Sequence, residues 1–184
     1  MNKPYQTTAS QIVWSCPWYR VRQDQIITPN GRPGVYNVIE SPTSVWIVPV
    51  TPAGEIVLIY NYRYTIDEWC WEVPAGSVKP GQTELEAAVC ELKEEVGGET
   101  DDQLVEIGRF YTANGICNEP GVYYLATNVR LGQPEHEATE VMETYVKPVA
   151  EVLHMVRSGQ ITDGNTALAL LLCAEKLQGW QPSA

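Results

Sequence analysis

Between residues 44 and 63 the apolar positions run almost unbroken through "SVWIVPV" and "EIVLIYNYR", two stretches on either side of the turn "TPAGE". Runs of this length, rich in Val and Ile, predict two strands of a covered sheet. From Thr83 the period changes. Leu85, Val89, Leu92 and Val96 recur at spacings of four, three and four, which places them on one stripe of a helix. Thr83 followed by Glu86 forms a capping-box start, and Gly97-Gly98 forms a stop, so the spacing predicts a helix from about 84 to about 96. Upstream, residues 11 to 40 alternate short β-prone stretches with "TPNGRPG", the pattern of a hairpin. Downstream, "LVEIGRF" and "GVYYLATNV" read as strands flanking "YTANGICNEP", and "ETYVKP" reads as another after the acidic "QPEHEATEV". The C-terminal third turns helical in "VAEVLHMVRSG" and, after "TDGN", in "TALALLLCAEKL". There is no internal repeat, low-complexity tract or linker. The whole predicts an α/β protein, a mixed sheet sandwiched between helices, with the 84–96 helix lying on the sheet.

Composition and charge narrow the chemistry. With 184 residues and 44% apolar residues, the chain can bury one substantial core, and its length favours a single domain. A formal net charge of -11 repels nucleic-acid phosphates and anionic lipid, so no nucleic-acid partner and no membrane is expected. An acidic protein that handles phosphates needs a divalent cation or a few placed Arg and Lys residues. The five cysteines, Cys16, Cys70, Cys90, Cys117 and Cys173, include no CxxC pair and read as reduced thiols. "MNKPYQTTASQ" has no apolar core of a signal peptide, and no apolar run approaches the roughly 18 residues of a spanning helix. A cytoplasmic location is expected.

The sharpest chemical signal is in the predicted helix. At about 100° per residue, Glu84, Glu91 and Glu95 fall within about 20 to 40° of one another, with Glu94 about 60° to one side. Like charges this close weaken a free helix by a few tenths of a kcal/mol per pair, so folding alone does not collect them. The plainer alternative is a solvated acidic face. The chemical one is a set of hard oxygen donors for Mg2+ or Mn2+, which commonly take one or two carboxylates plus substrate phosphates.

The segment "GSVKPGQTELEAAVCELKEEVGG" resembles the signature of the Nudix hydrolases, Gly-x5-Glu-x7-Arg-Glu-hydrophobe-x-Glu-Glu-x-Gly-hydrophobe. Gly76, Glu91, Leu92, Glu94, Glu95 and Gly97 match in register. Gln82 stands at the first glutamate, Cys90 at the arginine and Gly98 at the final apolar position. "YNYR", "EVPAG" and "ANGICNE", with the β-rich arm before residue 45, are similar to the ADP-ribose pyrophosphatase branch of that family. The resemblance implies a Nudix fold with an N-terminal β arm at 1–44, serving dimerisation and substrate contacts, and a hydrolase domain at 45–184. It implies that the backbone carbonyl of Ala75 and the carboxylates of Glu91 and Glu95 hold the metal, with Glu94 as a further ligand or proton acceptor. Glu140, in "ATEVMETYV", falls where the family places a water-activating glutamate; Glu135, Glu137 and Glu143 are rivals nearby. Glu119 of "CNEP" matches a second glutamate of the branch, either structural or a water-mediated ligand.

Arg63 ends a strand before a polar turn, where its guanidinium could grip a diphosphate through two parallel hydrogen bonds; its alternative is a surface arginine paired to some carboxylate. Trp18 and Tyr36 are spaced like two aromatics that sandwich adenine across a dimer in the ADP-ribose-hydrolysing relatives, and could equally serve packing. His136 and His154 show no ligand spacing. The function implied is Mg2+-dependent cleavage of a nucleoside diphosphate-linked small molecule, ADP-ribose or a related nucleotide sugar, by a homodimer. The alternatives are a nucleotide-binding protein on the same fold that no longer cleaves, or an enzyme for GDP-mannose, NADH or dinucleoside polyphosphates. Cys90 weighs on this choice, because a thiol cannot supply the charged bonding by which the family's arginine orients the glutamates.

Overall fold

The structure, a computed structural model, describes residues 3–136 and 141–178. Its chain forms two compact units, one made of residues up to Thr43 together with Phe110–Pro120, the other of Ser44–Arg109 and the residues from Gly121 onward.

In the first unit, β1 (Gln6–Ser15), β2 (Arg20–Ile27) and β3 (Pro33–Glu40) form an antiparallel sheet in that order. The expected hairpin is β2–β3: Thr28 N–H donates to Arg32 O at 2.9 Å, and Gly31 takes the positive φ of 80° that the turn needs. The start of β1 has no counterpart in the predicted elements. "QTTASQ" is polar apart from Ala9 and exposed at every position, so it has no alternation to read. Charge holds the middle strand, since Arg22 contacts both Asp24 and Glu40 and Arg20 also reaches Glu40. The Arg22 guanidinium and the Ser10 hydroxyl hold the Asp24 carboxyl below its ordinary range, and Arg20 with Arg22 does the same for Glu40. A lowered folded pKa adds stability that is fully present above the unfolded value of about 4 and lost as pH falls through the folded value. Resistance of this sheet to acid, followed by amide exchange, is therefore expected to decline below about pH 4, and more shallowly in Arg22→Ala.

The second unit contains β4 (Ser44–Pro49), β5 (Glu55–Arg63), β6 (Glu68–Glu72), β7 (Ala75–Ser77), α1 (Glu84–Val96), β8 (Gly98–Glu99), most of β9 (Val105–Tyr111) and of β10 (Pro120–Ala126), β11 (Arg130–Leu131), β12 (Met142–Pro148), α2 (Val149–Arg157) and α3 (Gly164–Gln178). Strands β4 and β5, neighbours in sequence, separate into different sheets, β7-β4-β10-β9 and β12-β5-β6. Strand β4 is parallel to β10, and β7 is an edge strand with β4 as its partner. The period of two explains the near-continuous apolar runs. Val45 and Ile47 of β4, Val57 and Ile59 of β5, and Val122 and Tyr124 of β10 pack in one cluster with Ala87, Ala88, Leu92 and Val96 of α1. The intervening Val48, Ile56, Leu58, Tyr123 and Leu125 pack in the other with Val152 and Met155 of α2 and Ala169 and Leu170 of α3. The strands are thus buried on both faces between helices. No helix among the described residues is long and apolar enough to cross a membrane.

Helix α1 begins and ends where predicted. Thr83 Oγ1 accepts from Glu86 N–H at 3.2 Å, and a Glu86 carboxylate oxygen accepts from Thr83 N–H at 2.7 Å, a complete capping box. Gly97 closes the helix at φ 61°, donating to Lys93 O at 2.9 Å. A Cβ there would lie 2.6 Å from the backbone of Gly132. Gly97→Ala is expected to cost about 1–2 kcal/mol from the left-handed backbone alone, with the overlap adding to it; urea melts of the two proteins measure the loss. The expected stripe is corrected at two positions: Leu85 and Val89 are 38% and 48% exposed. The helix is rotated so that Ala87 and Ala88 face the sheet, where small side chains permit close approach, and so that Glu95 is buried with them.

Candidate active site

The rotation of α1 brings two glutamates onto β7. Glu95, only 5% exposed, accepts a hydrogen bond from Ala75 N–H on Oε2 at 2.9 Å. A carboxylate buried this deeply needs such a donor, because an unpaired charge in the interior is strongly unfavourable. Glu91, one helical turn earlier, lies against the backbone of Gly76: a Cβ at that glycine would fall 2.1 Å from Glu91 Oε1 and 2.5 Å from Oε2. Glycine at 76 is therefore the condition for Glu91 to reach the strand. Two carboxylates of α1 thus meet one short strand, and carboxylate and backbone carbonyl oxygens are hard donors. Among the described residues no three His, Cys, Asp or Glu side chains converge into a ready-made metal cluster. Two carboxylates with further positions left to water and phosphate are nonetheless the donor set that suits Mg2+, so the residues fit a divalent cation.

Glu94 stands apart, with Lys79 Nζ at 3.7 Å from its Oε2 in a partly exposed pair. Glu84, which helical geometry groups with Glu91 and Glu95, is engaged by Arg109, whose Nη2 lies 2.6 Å from Glu84 Oε2. That part of the acidic face is an ordinary surface ion pair.

A cavity of about 680 Å3 opens beside β7, lined by Ala75, Gly76 and Ser77 with Arg63, Glu72 and Asp163 among others. Arg63 is held by the buried Glu72 through two parallel bonds, Nε to Oε1 at 2.7 Å and Nη2 to Oε2 at 2.5 Å. Asn61 adds a donor to Glu72 Oε2 at 3.4 Å. Glu72, and beyond it the charges of Glu95 and Asp163, push the Arg63 guanidinium further toward its protonated form. Of the two expectations for Arg63, the structure shows the pairing with a carboxylate, and it places that pair in the wall of the cavity lined by Ala75, Gly76 and Ser77. Sequence reasoning missed Glu72. Its role depends on the register of β6 against β5, in which Ile59 faces Glu72, and no local feature of the sequence carries that register. Thr162, Asp163, Gly164 and Asn165, around the start of α3, also line the cavity; Asp163 Oδ2 accepts from Thr166 N–H at 2.7 Å and Asn165 Oδ1 accepts from the Tyr123 hydroxyl at 2.8 Å.

Glu140 and Glu137 lie outside the described residues. The segment leading to them is tied to the glutamate-bearing end of α1: Gly132 N–H donates to Gly97 O at 2.8 Å, Glu135 N–H donates to Glu94 O at 2.7 Å, and His136 Nε2 lies 2.8 Å from Glu95 O. His136, without a role by sequence spacing, is one of these anchors. Glu143 sits in β12 and accepts from the Tyr145 hydroxyl at 2.6 Å.

The first unit holds the remaining expected residues. Trp18 is 75% exposed and lines a hollow of about 440 Å3 with Tyr19, Arg20 and Glu40. Tyr36 is also exposed, its hydroxyl 3.4 Å from Gly115 O, and is not among the residues lining that hollow. Glu119 accepts from the Thr112 hydroxyl at 2.7 Å.

Comparison with known proteins agrees with this geometry. Residues 40–165 match the NUDIX domain, and residues 5–39 match the nucleoside diphosphate sugar hydrolase N-terminal domain. An ADP-ribose pyrophosphatase of Mycobacterium tuberculosis is 34% identical over 166 residues, 86% of this chain and 78% of that protein. One from Bacillus subtilis is 28% identical over 169 residues, 89% of each chain. A crystal structure of an ADP compounds hydrolase superposes with a TM-score of 0.83 at 23% identity, covering 96% of both chains, and shows the same fold. With a family match across most of its length, and with Glu91 and Glu95 of the signature lying against the Ala75–Ser77 strand, the chain belongs to the NUDIX hydrolases.

Proposed function

We propose that this protein is a divalent-cation-dependent pyrophosphohydrolase of ADP-ribose or a closely related nucleoside diphosphate sugar, working with Mg2+ or Mn2+. The observation that carries the reading is the convergence on β7. Glu91 rests against Gly76, Glu95 bonds Ala75 N–H, and Arg63 stands in the wall of the cavity lined by the same strand. The names of the two pyrophosphatase relatives narrow the substrate from a diphosphate in general to ADP-ribose.

Glu91, Glu95 and the Ala75 carbonyl would hold the cation, which neutralises diphosphate charge and lowers the pKa of a bound water. Arg63 commits two of its N–H donors to Glu72, and its remaining donors are available to a phosphate oxygen. Because Glu72 fixes the guanidinium plane, little side-chain entropy is lost when substrate binds. Water attacks one phosphorus in line, the bridging P–O bond breaks, and the water proton passes to a glutamate, assigned by resemblance to Glu140 with Glu94 as the alternative. Trp18 and Tyr36 are assigned to the adenine base. Residues 1–44 would form the arm of a cytoplasmic homodimer; the exposed Ile12, Val13 and Trp14 of β1 support an apolar contact there.

The test is product analysis after incubation with ADP-ribose, GDP-mannose, NADH and diadenosine polyphosphates in Mg2+ or Mn2+. Release of AMP and ribose 5-phosphate from ADP-ribose, abolished by chelation, is the expected result. Tight cation-dependent binding of nucleotide with no cleavage of any substrate would replace this reading with a binding protein.

A further inference from the structure

The two polar departures of this chain from the family signature touch each other. Gln82 precedes the cap of α1, and its side chain folds back along the helix so that Nε2 donates to Cys90 Sγ at 3.4 Å. Its other end is also committed: Oε1 accepts from Lys79 N–H at 3.1 Å, and Gln82 N–H donates to Lys79 O at 3.1 Å. Lys79 in turn faces Glu94. The turn at 78–82 and the middle of α1 are therefore joined through one carboxamide.

We propose that Gln82 and Cys90 are coupled positioning residues, a neutral contact standing where the signature has opposite charges, and that this contact sets the 78–82 turn against the helix that carries Glu91. The assignment rests on the function proposed above, in which Glu91 must meet Gly76. The physical case is one of pairing. A glutamate at 82 facing a thiol loses the N–H donor of this contact and leaves a partly buried charge unmatched there, and an arginine at 90 facing a carboxamide finds no opposite charge at 82 and is left to the helix's own glutamates, whose positions it would pull. Both changes made together leave neither charge unmatched. Cys90 adjoins Glu91 in sequence, and Gln82 terminates the turn that follows Gly76, so the contact spans the two segments whose approach the site requires. On this view Cys90 is one half of a matched replacement and does not mark a retired site. A contact between neutral groups is also indifferent to ionic strength, unlike an exposed ion pair.

A double-mutant cycle tests the coupling. Gln82→Glu and Cys90→Arg are each expected to lower kcat by roughly 5- to 10-fold with KM for substrate little changed, and the double variant to return to within about twofold of the native enzyme. Melting temperatures are expected to show the same non-additive pattern. If the two losses simply add, in rate and in melting, the coupling is refuted. If Cys90→Arg alone folds poorly, recovery of folding in the double variant is the coupled result, and failure to recover overturns it. If the native protein cleaves none of the substrates, the function proposed above fails separately, and the melting cycle still decides the pairing by the same criterion.

Discussion

Glu95→Gln is expected to reduce kcat/KM for the cleaved substrate by at least about 10²-fold, while the melting temperature stays within a few degrees of the native value. Glutamine is nearly the same size and keeps an oxygen to accept from Ala75 N–H, the 2.9 Å bond that satisfies this buried side chain. What it removes is the negative charge, and in a site of low dielectric that charge acts far more strongly on a cation than it would in water. The half-saturating Mg2+ concentration is expected to rise in parallel. Steady-state kinetics across a Mg2+ series, paired with thermal melts, separate the two roles. A loss under about threefold would remove Glu95 from the cation site and leave it as a strut between α1 and β7.

Gly76→Ala is the complementary change, because it alters geometry without touching charge. The added methyl overlaps Glu91 Oε1 at 2.1 Å and its Cδ at 2.2 Å, so the carboxylate must move. It is the far end of a flexible side chain, which swings aside at little cost to the fold. A displacement of about 1 Å of a positioned group can cost about 10²-fold in rate, and a loss of this order is expected in kcat, with circular dichroism and melting close to native. A variant that melted far lower and lost activity only in proportion to its unfolded fraction would show that Gly76 serves packing and not the placement of Glu91.

These two residues also indicate how far the site could be read before folding. The glutamates of the signature, the limits of α1 and the strands that sandwich the core all follow from period, capping chemistry and a long motif. Each of these is a local property of the chain. The rotation of α1 is not local. The Leu85, Val89, Leu92, Val96 spacing defines a perfectly good stripe, yet the helix buries Ala87 and Ala88 because the sheet offers room for a close approach and a backbone donor for Glu95. Glu72 was missed for a similar reason. Nothing in "EWCWEVPAG" announces that its second glutamate will hold Arg63, since that pairing depends on the register of β6 against β5. The contact of Gln82 with Cys90, eight residues apart in sequence, needed the carboxamide to fold back along the helix. Motif comparison flags the two positions separately and leaves their meeting unseen.

Strand β7 has three residues and lies at the margin of its sheet, with β4 on one side. A strand margin is a template for pairing with another molecule, and folded proteins commonly blunt such margins with charge. Glu91 and Glu95 lie against this one, so the side chains that would serve the reaction also place charge at a strand margin. Truncating both to alanine would do more than silence the enzyme: it would uncover a β template, and the protein should grow turbid at concentrations where Glu95→Gln stays clear.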